Sequence, residues 1–214
     1  MYKKKPFFIV FEGVEGCGKS YQSKKLFIKL KKNKIDTILT REPGGTKSSE
    51  LIRNLILKDY FTKNNKEKFD KYTDTLLYLA ARNEHIKNKI KPALLKKKVV
   101  ICDRFIDSTI AYQVYGKKVD IEFINNIHKK ILGKIKPSLV FILKVSTKSS
   151  KLRLNKRKSK NRYDNFPQSF YTKAQKSFLK IAKNKKNYFI LNSSSNDNIL
   201  EKNIFNIVKK YLNI

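Results

Sequence analysis

Short apolar runs recur along this chain, and between them apolar residues fall at helical spacing. Residues 7–11, 36–40, 99–102, 139–143 and 188–191 read as strands. Most are nearly continuous in Val, Ile, Leu and Phe, the pattern of strands covered on both faces. Helices are predicted over 19–32, 46–57, 72–95, 107–114, 121–132, 146–155, 166–182 and 199–212. In the second of these, Leu51, Ile52, Leu55 and Ile56 recur at a spacing that lines one helix face. Pro92 predicts a kink or a new turn inside the long stretch 72–95.

Strand and helix alternate throughout, without a long linker or an internal repeat. That order predicts an α/β fold in which a five-stranded parallel sheet carries helices on both faces, as one domain spanning 1–214. Ligands of such sheets bind beyond the carboxyl ends of the strands. The residues just after each strand are therefore where chemistry is expected.

Composition narrows this picture. A chain of 214 residues suffices for one such domain, and 40% hydrophobic content excludes a disordered polymer. No apolar run approaches the roughly 20 residues of a membrane helix, and 7–11 is too short for the core of a signal peptide. A cytoplasmic protein without a membrane partner is expected. The two cysteines, Cys17 and Cys102, offer no disulfide framework, and no histidine stands near them at metal-ligand spacing. The formal charge of +33 raises the question of nucleic acid. The lysines, however, are spread along almost the whole chain without interleaved aromatics for base stacking. The charge reads as a bias toward Lys, Asn and Ile, and no specific nucleic-acid partner is expected.

The first strand runs directly into Gly13-Val14-Glu15-Gly16-Cys17-Gly18-Lys19-Ser20, which fits GxxxxGK[ST] between a strand and a helix. Glycines let backbone N–H groups turn toward phosphate oxygens, and the following helix adds its positive N-terminus. Lys19 is placed to reach the β- and γ-phosphates of ATP, and Ser20 to ligate Mg²⁺. A P-loop NTPase fold follows. Cys17 lies beside Lys19 at a helix N-terminus, so it is expected to be a reactive thiol.

Three further segments follow strands or occupy the long helix: Thr40-Arg41-Glu42-Pro43-Gly44-Gly45-Thr46, Leu76-Leu77-Tyr78-Leu79-Ala80-Ala81-Arg82, and Asp103-Arg104-Phe105 with Ser108-Thr109 and Ala111-Tyr112-Gln113. In this order and spacing, the chain resembles the bacterial thymidylate kinases from its first strand to its last helix. The resemblance implies transfer of a phosphoryl group from ATP to dTMP, with Mg²⁺, in a homodimer. It implies that Glu12 meets the deoxyribose 3′-hydroxyl or a Mg²⁺-bound water, and that Arg53 and Arg104 grip the dTMP phosphate, with Arg41 and Pro43 in the adjoining loop. Tyr78 stands where the family usually has a Phe stacked on thymine. Arg82 matches the arginine that bonds the thymine edge, Ser108, Thr109 and Gln113 line the base pocket, and Tyr112 packs under the sugar. Asp103 lies near the metal and phosphates.

Only seven of the 50 basic residues are arginine: Arg41, Arg53, Arg82, Arg104, Arg153, Arg157 and Arg162. Where surface charge alone is needed the chain uses lysine, so the arginines are expected where a planar, bidentate fork matters. Four fall in the acceptor segments. Three fall in a basic stretch that resembles the family's lid over ATP, at about 153–166. The variable P-loop positions carry no basic residue, so the lid must supply the transition-state charge: Arg157 first, Arg162 second, with Arg153 against adenine. Other readings remain: a kinase for another pyrimidine monophosphate or a deoxynucleoside, and a basic nucleic-acid-binding ATPase.

Overall fold

The computed structural model describes residues 5–57, 68–156, 166–194 and 197–214. Strand β1 (Phe7–Glu12) is buried along its whole length. It pairs in parallel with β3 (Val99–Asp103) on one side and β4 (Leu139–Lys144) on the other. Strand β2 (Thr37–Arg41) adds beyond β3, and β5 (Tyr188–Asn192) beyond β4. The order is β2-β3-β1-β4-β5, all parallel. Phe8, Phe11, Phe141 and Ile101 are fully buried in the sheet core. Each contributes about 2–3 kcal/mol by leaving water.

Right-handed crossovers put the helices on both faces. Helix α1 (Lys19–Lys32) carries the chain from β1 out to β2, and the closing α9 (Asp197–Leu212) packs against it. On the other face, α2 (Lys47–Leu57) and α3 (Lys71–His85) pack together before β3. The short α5 (Ile106–Thr109) and then α6 (Ile121–Leu132) lead to β4, and α7 (Thr147–Asn155) and α8 (Gln168–Ala182) to β5. The cap of α1 is Gly18 at φ 91°, with no side chain bonded to the first N–H groups. Those donors stay available at the phosphate loop. By contrast, Asp70 and Asp120 cap α3 and α6.

The predicted helices 19–32 and 121–132 coincide with α1 and α6. The long stretch 72–95 is helical too, but its irregularity precedes Pro92. After α3 comes a π-helical turn, Ile86–Ile90, and Pro92 occupies the first turn of α4 (Lys91–Leu95). Pro92 has no N–H to bond back, and the wider turn accommodates that missing bond. A second π-helical segment, Ile110–Gly116, extends α5, where a regular helix was expected.

Helix ends show the lysine bias. Lys34 (φ 57°) and Lys97 (φ 55°) take the left-handed conformation that glycine usually fills. At each, paired bonds close the helix: Lys34 N to Lys31 O with Ile35 N to Leu30 O, and Lys97 N to Leu94 O with Lys98 N to Ala93 O. Both lysines are exposed. We expect Lys34→Gly and Lys97→Gly each to raise stability by about 0.5–1 kcal/mol, because glycine adopts this conformation without Cβ strain. Urea denaturation measures it, and a lowered midpoint would show that the strain is not what limits these ends.

Candidate functional site

The carboxyl ends of β1, β2 and β3 stand level, with Phe11 beside Asp103 and Asp103 beside Arg41. Each strand hands its next residues to one cavity. It is lined by Glu15, Lys19 and Ser20 from the loop after β1, and by Arg41, Glu42 and Pro43 from the end of β2. Arg53 of α2 and Tyr78 and Arg82 of α3 add to it. The end of β3 and the helix after it supply Asp103, Arg104, Ser108, Thr109, Tyr112 and Gln113. Thus every residue expected at the acceptor site lines this cavity except Glu12.

Glycine is required at two points here. A Cβ on Gly16 would stand 2.7 Å from Ser150 O, where α7 presses on the loop. A Cβ on Gly45 would meet the His85 ring at 2.6 Å. In the loop, Lys19 Nζ donates to Gly13 O (3.0 Å) and Val14 O (2.8 Å). Arg153 reaches across from α7 to Gly16 O at 3.4 Å. Cys17 is fully buried, with Lys19 Nζ 3.5 Å from its sulfur. The expected reactive thiol is therefore shielded by packing. Arg157 and Arg162 lie outside the described residues, as does most of the expected lid.

Each described arginine has a carboxylate partner. Arg104, at φ 74°, donates from Nη2 to Glu15 Oε1 (2.6 Å) and from Nη1 to Gly13 O and Ser108 Oγ (both 3.0 Å). Its strained backbone is held by a bond from Arg104 N to Phe11 O at 2.9 Å. Tyr112 donates to the other oxygen of Glu15 (2.5 Å), and its ring packs on Phe170 and Phe178 of α8. Burial alone would raise the Glu15 pKa, but the charges of Arg104 and Lys19 and the Tyr112 bond hold it below the ordinary value. Arg41 donates to both oxygens of Glu50, and Arg53 to Pro43 O at 2.6 Å. Burial, then the charge of Arg41, pulls the Arg53 pKa down, so an anion between the two would relieve their repulsion.

Arg82 is almost fully buried, and its bonds come from several elements. Nε donates to Glu42 Oε2 (2.7 Å) and Nη2 to Phe105 O (2.8 Å). Nη1 donates to Thr109 Oγ1 (2.8 Å) and His128 Nε2 (2.8 Å). His85 stands behind, with Nδ1 3.1 Å from Glu42 Oε1 and Nε2 2.6 Å from Thr40 Oγ1. Both histidines of the chain thus belong to this network, and sequence reasoning assigned neither. Their being the only two was the one available signal, because periodicity does not mark a buried polar residue.

A divalent ion fits one corner of the site. Ser20 Oγ donates to Asp103 Oδ2, and Asp103 Oδ1 is buried without a hydrogen-bond partner. A hydroxyl and a carboxylate converging beside the phosphate loop are the hard oxygen donors Mg²⁺ prefers.

Glu12 differs from expectation. Its side chain does not line the cavity and is fully buried. Phe105 N (2.7 Å) and Ser108 N (3.2 Å) donate to Oε1, and Ser108 Oγ (2.6 Å) donates to Oε2. The last residue of β1 points into the face that α5 covers, so its carboxylate anchors α5. The carboxylate that the phosphate loop brings to the cavity is Glu15, in the variable part of that loop. Burial and then the charge of Asp107 raise the Glu12 pKa from 4.5 to about 7. The folded state therefore holds a proton that the unfolded chain releases. Stability from this group is full below pH 4.5 and is lost as pH rises toward 7. The span corresponds to about 3 kcal/mol. Glu12→Gln, which can still accept from the two amides, is expected to flatten the decline of unfolding free energy across this window. Urea titrations at several pH values read it, and equal slopes in both proteins would remove Glu12 as the cause.

A family model described as thymidylate kinase matches residues 11–204. The thymidylate kinase of Wolbachia sp. subsp. Brugia malayi is 45% identical over 180 residues, covering 83% of this chain and 82% of that protein. The one from Aster yellows witches'-broom phytoplasma is 40% identical over 209 residues, covering 96% of each. The crystal structure of thymidylate kinase from Ehrlichia chaffeensis superposes with a TM-score of 0.74 at 31% identity, over 95% of this chain and 99% of that one. The matched length takes in the phosphate loop and the carboxyl end of every strand that feeds the cavity, and on this ground the chain belongs to the thymidylate kinase family.

Proposed function

We propose that this chain transfers the γ-phosphoryl group of ATP to the phosphate of dTMP, giving ADP and dTDP. The observation that carries the reading is one cavity beside the phosphate loop that is lined by four arginines, two tyrosines and the polar side chains of Ser108, Thr109 and Gln113. Arg41, Arg53 and Arg104 supply planar donors for an acceptor phosphate. The Tyr78 ring offers a stacking face. Arg82 offers a donor to a base carbonyl, with Thr109 and Gln113 beside it; Gln113 Nε2 is buried without a hydrogen-bond partner. The sugar contact expected of Glu12 passes to Glu15, whose carboxylate lies between Arg104 and Tyr112.

The acceptor oxygen of a monophosphate is already ionised at neutral pH, so no general base is required. Catalysis consists of alignment and neutralisation of charge on the phosphoryl group in transfer. Lys19 exchanges its two loop carbonyls for phosphate oxygens as ATP enters. The uncapped N–H groups of α1 add to that cradle, and Arg153 faces the nucleotide from α7. Ser20 and Asp103 would hold Mg²⁺, which when bound neutralises charge on the β- and γ-phosphate oxygens. Arg157 is proposed to neutralise the transferring group from the lid, because the P-loop offers no basic side chain other than Lys19.

A coupled ADP-release assay with ATP, Mg²⁺ and dTMP, dUMP, dCMP, dGMP, AMP or thymidine tests the reading. Turnover is expected to favour dTMP strongly, with dUMP a poorer substrate because one methyl group is worth about 1–3 kcal/mol. Arg157→Ala is expected to lower kcat by about 10²–10⁴-fold with little change in the KM for dTMP. Preference for another acceptor would overturn the base-pocket roles. No turnover with any acceptor would favour a nucleic-acid-dependent ATPase.

A further inference from the structure

We propose that His128 is a positioning residue for base recognition: by accepting one Nη1 N–H of Arg82, it fixes the guanidinium so that a single Nη2 N–H is left for a ligand. The inference rests on the cavity being the dTMP site.

A guanidinium has five N–H donors. In Arg82, four are bound by Glu42 Oε2, Thr109 Oγ1, His128 Nε2 and Phe105 O. Those four acceptors surround the fork from the end of β2, from α5, from α6 and from the turn after β3. Three of the four residues line the cavity, and a bound nucleotide can touch them directly. His128 does not, and α6 contributes no other residue to the lining. Its influence on a ligand must pass through Arg82.

The chemistry suits an acceptor that carries no charge. His128 is 5% exposed, and Arg82 can only donate to it. Burial and then the neighbouring Arg82 charge lower its pKa to about 3. The imidazole is therefore neutral, with its proton on Nδ1 and its Nε2 lone pair turned to Arg82. A carboxylate in that place would add a second buried anion beside Glu42. An apolar side chain would leave a buried Nη1 N–H without an acceptor, and the fork would turn to find one. With His128 present, one Nη2 N–H remains as the donor. A carbonyl on the base edge accepts it, whereas an exocyclic amino group would meet it donor to donor. His128 thereby bears both on dTMP affinity and on the choice of thymine over cytosine.

The test compares wild type, His128→Leu and His128→Gln in steady-state kinetics with dTMP and dCMP. Thermal melting of each protein and ¹⁵N chemical shifts of the wild-type imidazole accompany it. His128→Leu is expected to raise the KM for dTMP roughly tenfold, while kcat changes far less. Its kcat/KM preference for dTMP over dCMP should fall with it. His128→Gln, whose Oε1 can stand where Nε2 stands, is expected to recover most of both. The ¹⁵N shifts should show Nε2 unprotonated throughout about pH 5 to 8. A Leu variant with wild-type KM and preference overturns the proposal. So does a folded Gln variant no better than the Leu variant, or an imidazole protonated on Nε2. If His128→Leu does not fold, the Gln variant and the tautomer decide. A wild-type enzyme with no preference for dTMP over dCMP would instead overturn the dTMP reading, and this is read before any variant is made.

Discussion

The buried ion pair between Arg82 and Glu42 organises the site. Both side chains are nearly inaccessible, at 3% and 4% exposure. Desolvating two charges costs several kcal/mol each and is offset only where geometry is good and the remaining donors and acceptors are met. Here that condition is satisfied through other elements. Thr109, Phe105 and His128 take three of the four remaining donors, the last facing the cavity in the proposed reading, and His85 meets the second oxygen of Glu42. Burial works against the Glu42 charge, and Arg82 with His85 outweighs it, leaving its pKa below the ordinary value. The pair thus holds the end of β2, α3, the turn after β3 and α6 in one arrangement, and that arrangement is the wall of the cavity.

The same economy of acidic residues recurs around the cavity. The chain has 17 Asp and Glu against 50 Lys and Arg. Glu15 holds Arg104 and Tyr112, and Glu50 holds Arg41 with Arg53 close by. Each arginine is aimed before a ligand arrives, which lowers the ordering cost of binding. The lysines, in contrast, mostly lie on exposed positions and close helix ends. The charge excess therefore has little to do with how the site is built, apart from Lys19.

The parallel sheet gives these pairs a common frame. Because β1, β2 and β3 end level, a residue one step past each strand reaches the same space. Arg104 departs from β3 in a left-handed conformation, and a bond to Phe11 O keeps the turn tight. This places Arg104 against Glu15 of the neighbouring loop rather than along its own strand direction. The loop after β1, Arg41, Arg104 and Tyr112 thus meet at the carboxyl edge of one sheet.

Much of this was legible from the residues alone. Apolar runs and helical periodicity located every strand of the sheet, because burial on one or both faces leaves a local pattern. The phosphate loop was equally legible, since its glycines, Lys19 and Ser20 act through backbone conformation set within a few residues. Scarcity of arginine drew attention to four residues that do line the cavity, because a planar fork offers what lysine does not. Tertiary structure alone decided the rest. Whether Glu12 or Glu15 faces the cavity depends on which side of β1 is covered by α5. Whether Cys17 is reactive depends on what packs over the loop. That His128, 46 residues from Arg82, accepts one of its N–H groups depends on α6 packing against α3. Direction and contact of a side chain are set by partners distant in the chain, and no local pattern records them.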